Sequence, residues 1–437
     1  MVRSRRLPNK FPPGVAFLGE IRIFEKIKGL GMKKFLLLVA FLLPAILLSA
    51  QPDSLRLVYS VRGVVSDLQS GRPLESVHVS VPDRHFATVT NADGAFTIKS
   101  DLPIREVVFS FVGYRTIRQQ AGRGEMKVYL IPEVYALDPA TVMTGDPRQI
   151  VEAAIARIPQ NYSQQPELLE CFYRETIRKR QRFTYISEAV SRIYKSSYGH
   201  GIARDRTALE KSRVLLSQKR TDTLSIKVMG GPTQAITHDV VKNPDLLFDP
   251  AELRNYRFEM LAPASIDDRL QFVIRVIPEA ECEYALYNGT LYIDRERLSF
   301  TRIELSLDMT DRSKATRMML IRKPFSLRFT PRELSILVNY RFDGNISRIS
   351  YFRTTMRFAC DWKRRLISTN YTAVNELVVT NLREPVEPIA RSDMFRTSDI
   401  LDNKAKEFLD PDFWKDYNII EPSESLENAI GRLRKQR

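Results

Sequence analysis

Tyr351-Phe352-Arg353-Thr354-Thr355-Met356-Arg357-Phe358-Ala359-Cys360-Asp361-Trp362 alternates along its whole length. Phe352, Thr354, Met356, Phe358, Cys360 and Trp362 fall on one side, and Tyr351, Arg353, Thr355, Arg357, Ala359 and Asp361 on the other. A repeat of two belongs to an extended chain, whose side chains point to opposite faces in turn. Working outward, Thr301, Ile303, Leu305, Leu307 and Met309 alternate in the same way with Arg302, Glu304, Ser306 and Asp308. Leu270–Ile277, Asn288–Asp294 and Leu334–Phe342 add further strands. The reading is a large antiparallel sheet with one oily and one wet face, and the oily face needs a cover. Two amphipathic helices are expected to supply part of it. One spans 147–158, with Asp146 as N-cap, Pro147 at its first position, Ile150, Val151, Ala154, Ile155 and Ile158 as its stripe, and Pro159 as its stop. The other spans 424–435, through Leu426, Ile430 and Leu433. Curvature of the sheet around a cavity can supply the rest.

Upstream, residues 56–133 break into about seven short strands separated by turn chemistry, the pattern of a β-sandwich. Val77, Val79 and Val81 alternate with His78 and Ser80, and Asn91-Ala92-Asp93-Gly94 forms a hairpin turn between β-rich flanks. Residues 134–145 then read as a linker into a β-rich domain over 146–437. Four ordered segments carry a resemblance: Gly63-Val64-Val65-Ser66-Asp67, Pro73 to Val79, Thr90 to Phe96 (with Asp93, Gly94 and Phe96) and Phe109 to Tyr114 (with Gly113). Together they resemble the carboxypeptidase regulatory-like domain, a transthyretin-like sandwich common in exported Bacteroidetes proteins. That resemblance implies structural roles for Gly63, Asp67, Pro73, Asp93, Gly94, Phe96, Gly113 and Tyr114, and no chemistry in the domain itself. Tyr287–Asp294 followed by Ile303-Glu304-Leu305 resembles the strands of LolA-like carrier sheets, which implies a curved half-barrel as one form of the second domain. The ending Asp412 to Pro422 resembles a signature that pairs the regulatory-like domain with an uncharacterised β-rich partner.

The chain has 437 residues, with Lys+Arg 67 against Asp+Glu 52. Residues 1–50 hold nine of the basic side chains and two of the acidic ones, so 51–437 is only mildly basic, too little to argue for nucleic acid, and export disfavours such a partner further. Lys33 and Lys34 precede an apolar run that Pro44 interrupts and Ser49-Ala50 ends. This is the layout of a secretory signal peptide starting at Met32 and cut after Ala50, with 1–31 as an upstream extension. The run is short for a membrane span, and no second span follows, so the mature chain is expected to lack a transmembrane helix.

Candidate chemistry is sparse. No His is followed three residues on by Glu, which removes the ligand pair of a zinc carboxypeptidase, and His-Glu-x-x-His is absent too. His78 and His85 read as surface or edge residues of the sandwich, and Asn91 and Asp93 as turn residues rather than calcium ligands. Cys171, Cys282 and Cys360 read as buried small hydrophobes. No Gly-x-Ser-x-Gly nucleophile motif occurs, and Gly199-His200-Gly201 with Asp205 is the one histidine in a loop-like polar setting. Arg178-Lys179-Arg180-Gln181-Arg182 and Lys363-Arg364-Arg365 read as charged hairpin tips within 174–195 and 351–371. Asp53-Ser54-Leu55 and Asp222-Thr223-Leu224 resemble a short glycosylation signal.

The resulting expectation is a mainly β, exported, non-catalytic envelope protein, periplasmic or associated with the outer membrane or cell surface. It would bind or scaffold an envelope protein, a glycan or a lipid, without a cofactor or metal, and peripheral membrane association stays open. A carrier of a lipid or other hydrophobic ligand is one alternative, and a hydrolase with an unfamiliar site using His200 is another.

Overall fold

Valine and isoleucine at every second position draw the region after residue 58 into short strands with one side apiece to bury. The computed structural model describes residues 59–82, 84–133, 145–219, 226–228, 230–362, 368–397, 399, 401 and 417–435. The signal peptide, both Asp-Ser/Thr-Leu sites, Lys363-Arg364-Arg365, nearly all of the linker and 412–416 of the C-terminal motif lie outside the described residues. Residues 58–437 form one compact unit.

The first seven strands are β1 (Tyr59–Asp67), β2 (His78–Ser80), β3 (Ala87–Val89), β4 (Ala95–Ser100), β5 (Glu106–Ser110), β6 (Ile117–Gln120) and β7 (Met126–Leu130). They form two sheets, ordered β4-β1-β7 and β3-β2-β5-β6. β7 runs parallel to β1, a pairing that alternation alone does not specify. Val65, Val79, Ile98, Val107 and Val128 fill the space between the sheets, with Phe96 edge-on to Phe109 at 5.2 Å. Gly94 turns at φ +70°, and a Cβ there would stand 2.3 Å from the Val65 carbonyl oxygen. Only glycine meets both conditions without strain. Asn91 Oδ1 closes the same turn by accepting the amides of Asp93 and Ala95 at 2.9 Å.

The remainder contains α1 (Pro147–Ala156), α2 (Ile158–Asn161), β8 (Glu167–Lys179), β9 (Arg182–Lys195), β10 (Arg206–Leu216), β11 (Lys227–Val228), α3 (Gln234–Thr237) and α4 (Pro250–Leu253). After these come β12 (Tyr256–Ile266), β13 (Arg269–Pro278), β14 (Tyr287–Asp294), β15 (Phe300–Leu307), α5 (Arg312–Met319), β16 (Leu320–Arg322) and β17 (Leu327–Asp343). The series ends with β18 (Ile346–Trp362), β19 (Thr369–Leu382), β20 (Met394–Phe395) and α6 (Glu424–Arg434). Eleven strands make one sheet in the order β12-β13-β14-β15-β17-β18-β19-β8-β9-β10-β20. All its pairings are antiparallel, and its two edge strands do not meet among the described residues, so it is an open sheet and not a closed barrel. The mainly β expectation holds.

Three expectations need correction. The helix expected over 147–158 ends at Ala156, and Pro159 sits within a second short turn, α2. Proline is tolerated there because a first-turn N–H has no intrahelical acceptor anyway. The expected oily face is buried, with Phe352, Met356 and Phe358 fully enclosed, and α1, α3, α4 and α5 cover it. The terminal helix lies on the opposite face, packing Leu426, Ala429, Ile430 and Leu433 on Phe183, Ile186 and Leu215. Finally, the expected wet face is partly dry. Phe172, Val190, Tyr351 and Val378 lie under Val89 of the sandwich and under Ile419 and Ile420.

That outer face also carries a ladder of alternating charge, with Arg213, Glu188, Arg174, Glu376 and Arg353 directly opposite one another on successive strands. Glu188 is fully buried and accepts from Arg174 Nε at 2.8 Å and Arg213 Nε at 2.5 Å. Arg174 also donates to the Ile420 carbonyl at 2.6 Å, and Arg353 reaches Glu75 of the sandwich at 2.9 Å.

Candidate functional site

Hydrogen bonds from the sandwich to the rest of the chain fix a seam. Thr88 Oγ1 donates to the Ile419 carbonyl at 2.8 Å, the Gly113 amide to the Ser265 carbonyl at 3.0 Å, and the Glu424 amide to Asp93 Oδ2 at 2.7 Å. Along this seam lies a cleft of about 350 Å³. The sandwich contributes His78, Arg84, His85 and Arg118 to its wall, and the β17–β18 hairpin contributes Arg341, Asp343 and Arg348. A smaller cavity of about 40 Å³ shares His78, Arg341 and Ser350 with it.

The charged side chains of the lining are mostly cationic, and they stand among apolar ones such as Val81, Phe86, Ile349 and Leu382. His85 Nδ1 stands 2.8 Å from Asp343 Oδ2, which Arg348 Nη1 meets at 3.0 Å, while Arg348 Nε meets Glu167 at 2.7 Å. Arg341 Nη2 lies 3.1 Å from Asp267 Oδ1, but its Nη1 is buried without an acceptor. Burial pushes the Arg341 pKa down to about 10 and raises that of Asp267, the response of two charges whose desolvation is incompletely offset. Arg341 lines both cavities, and its guanidinium keeps hydrogen-bonding capacity that Asp267 does not use.

A second cluster lies beneath the covered face. Lys195 Nζ bonds Asp239 Oδ2, and Tyr340 Oη donates to Asp239 Oδ1 at 2.7 Å. Beside it, Lys242 Nζ reaches Asp205 Oδ1 at 2.6 Å and the Ser196 carbonyl at 2.6 Å. Ser196 Oγ is 3.2 Å from Lys242 Nζ, a spacing at which a lysine can activate a serine hydroxyl. The surroundings oppose that chemistry. Ser196 and Lys242 are buried, the ammonium is already shared between a carboxylate and a carbonyl, and Ser196 Oγ donates to Asp205 at 2.9 Å. Burial, then the Lys195 ammonium, push the Lys242 pKa down, and both carboxylates oppose the shift.

The residues singled out from sequence scatter. His200 is exposed at the end of a 3₁₀ turn, whereas Asp205, its expected neighbour, faces inward onto Lys242. His85 is exposed as expected, but His78 is buried in β2 and lines the cleft. Cys171 and Cys360 are buried and Cys282 is partly exposed; all three are free thiols. Among the described residues, no three His, Cys, Asp or Glu side chains gather as metal ligands. Of the motif residues, Gly63 pairs with Met126 across β1 and β7, and Pro73 bridges to Ser66. Asp67 accepts the Ser70 amide and hydroxyl at 2.6 Å, which hold its carboxyl below the usual range. Tyr114 packs on Phe111 at 5.5 Å. Arg341, Lys195, Asp239 and Lys242 were not singled out, because their partners stand far away in the chain and leave no local pattern.

No curated protein matches the chain. Among solved structures it is similar to a DUF1329 family protein from Desulfovibrio piger, with 10% identity and a TM-score of 0.25, over 57% of this chain and 100% of that one. It is also similar to a putative outer membrane lipoprotein-sorting protein domain from Vibrio parahaemolyticus, with 14% identity and a TM-score of 0.25, over 57% and 97%. A LolA superfamily protein from Nitrosomonas europaea gives 11% identity and a TM-score of 0.21, over 58% and 99%. No helix among the described residues is long and apolar enough to cross a membrane. Residues 61–133 match the family model of the CarboxypepD_reg-like domain, so the sandwich that forms one wall of the cleft is a carboxypeptidase regulatory-like domain.

Proposed function

We propose that this chain is an exported, non-catalytic binding module of the cell envelope, and that it holds its ligand in the seam between the regulatory-like sandwich and the large sheet. The observation that carries this reading is the cleft of about 350 Å³, walled by both modules, whose charged groups are mostly cationic and set among apolar side chains. A cleft with few, convergent polar groups is the usual form of a ligand site. Export rests on the charged, apolar and small-residue order of 33–50. Binding in the seam is preferred to enclosed lipid carriage because Tyr162, Tyr340, Phe300 and Phe352 fill the space behind the sheet. It is preferred to hydrolysis because Ser196 is buried and His200 stands apart from Asp205.

Calorimetric titration of the full chain with acidic sugars, peptidoglycan fragments and acidic peptides tests the reading. At least one should bind, and Arg341→Gln or Arg84→Ala should weaken it at least tenfold. A panel without a binder, or binding indifferent to both substitutions, overturns it. So does turnover in an esterase, glycosidase and peptidase screen that His200→Ala abolishes.

A further inference from the structure

The antiparallel register carries several turns to one end of the large sheet, away from the cleft. β17 begins at Leu327 opposite Trp362, the last residue of β18. β19 enters beside β8, with Tyr371 opposite Lys179 and the Arg180 amide donating to the Asn370 carbonyl at 2.8 Å. β10 leaves beside the start of β9, and α6 ends at the same place, where Arg432 Nη2 donates to the Phe183 carbonyl at 3.2 Å. From β17 to β10 is five strand steps, roughly 24 Å across.

This end is cationic. Arg322, Lys323 and Arg328 are exposed around the start of β17, and Arg180 at the β8–β9 tip. Lys219 is exposed just beyond β10, and Arg432, Arg434 and Lys435 at the end of α6. Asp361, opposite Arg328, is the one carboxylate in these segments among the described residues. Ile321, beside Arg322 on β16, is 52% exposed, and Phe325, in the loop that Lys323 begins, is 86% exposed. A soluble polyanion would meet the charges but gain nothing from two projecting apolar side chains. A lipid surface uses both, taking cations to its phosphates and Phe and Ile into the acyl boundary.

We propose that this end of the sheet docks peripherally on an anionic lipid bilayer, with Arg322, Lys323 and Phe325 leading the contact at its β17 side. The proposal is independent of the cleft, whose Asp343 and Arg348 lie by the turn at the other end of β17 and β18.

Vesicle flotation of the full chain tests it, comparing equimolar phosphatidylglycerol and phosphatidylcholine with phosphatidylcholine alone. Residues 1–50 carry nine basic side chains and an apolar run of their own, but every variant shares them, so comparing R322E/K323E with the parent isolates this surface. Binding should favour the anionic vesicles and fall with salt. R322E/K323E should weaken it by about 25-fold or more, at about fivefold per basic residue. Phe325→Ala should reduce the binding that survives high salt, and Arg115→Glu, an exposed charge on the sandwich, should change nothing. Circular dichroism confirms that each variant is folded. Equal binding to both vesicles, or binding that R322E/K323E leaves intact in a folded protein, overturns the proposal.

Discussion

Lys242 Nζ lies 2.6 Å from Asp205 Oδ1 with both side chains wholly excluded from solvent, and the Lys195–Asp239 pair is buried beside it. Four charges in a protein interior tolerate one another only as a set. Removing one member strands another where water cannot reach it, at a cost of about 3–5 kcal/mol. Lys242→Met and Asp205→Leu should each lower the unfolding free energy by about that much, and the double variant by less than the sum. Urea denaturation followed by circular dichroism measures all three; strictly additive losses would mean the two side chains do not act as a pair.

Glu188 serves two arginines from the middle of the outer charge ladder. Glu188→Ala leaves the guanidiniums of Arg174 and Arg213 without their shared carboxylate and should destabilise the fold by about 3–5 kcal/mol. Glu188→Gln keeps the shape and should cost less. The denaturant midpoint reads both, and an alanine variant as stable as the parent would contradict the buried-charge account.

His238 supplies a pH dependence. Its ring is buried against Phe352, 3.2 Å from the Gln234 carbonyl and 3.0 Å from Thr237 Oγ1, and burial pushes its pKa down to about 4. An unfolded histidine titrates near 6.5. Between those values the unfolded chain holds the extra proton, so this contribution to stability is complete above about pH 6.5 and is lost as the pH falls toward 4. The loss is on the order of 3 kcal/mol. Thermal melts of wild type and His238→Gln across that window should converge at the acid end. Parallel curves would assign the acid sensitivity to other groups.

Deleting 56–133 tests whether the large sheet stands alone, as the sequence reading of two domains expects. Strand pairing within the sheet does not involve the sandwich, so β circular dichroism should persist. The cover contributed by Val89 over Phe172, Val190, Tyr351 and Val378 would be gone, however. The product should therefore bind a hydrophobic dye such as ANS and self-associate. Collapse of the β signal, or a product that stays monomeric and dye-free, would each count against this division of the fold.

Much of the architecture was legible because it repeats every two residues. The strand through Phe352, Met356 and Phe358, the turn at Asp93-Gly94 and the charged tip at Arg180 are where the sequence put them. What escaped depends on meetings between distant segments. The parallel pairing of Gly63 with Met126, the inward turn of Asp205 onto Lys242, and the burial of Tyr351 beneath Ile419 leave no mark on their immediate neighbours. The same holds for the cleft, since no local signal links His78 to Arg341. The cationic end was half visible: the basic run Arg178 to Arg182 stood out, but the strand order that sets the Arg180 tip beside Asn370 did not.

The position of β8 between β9 and β19 has a consequence in time. Lys179 faces Tyr371, so a ribosome must deliver almost two hundred further residues before β8 gains its second neighbour. Until then the hairpin of β8 and β9 has an open flank, and the middle of the sheet waits on the tail of the chain. Closure late in synthesis makes for slow assembly of the sheet's middle.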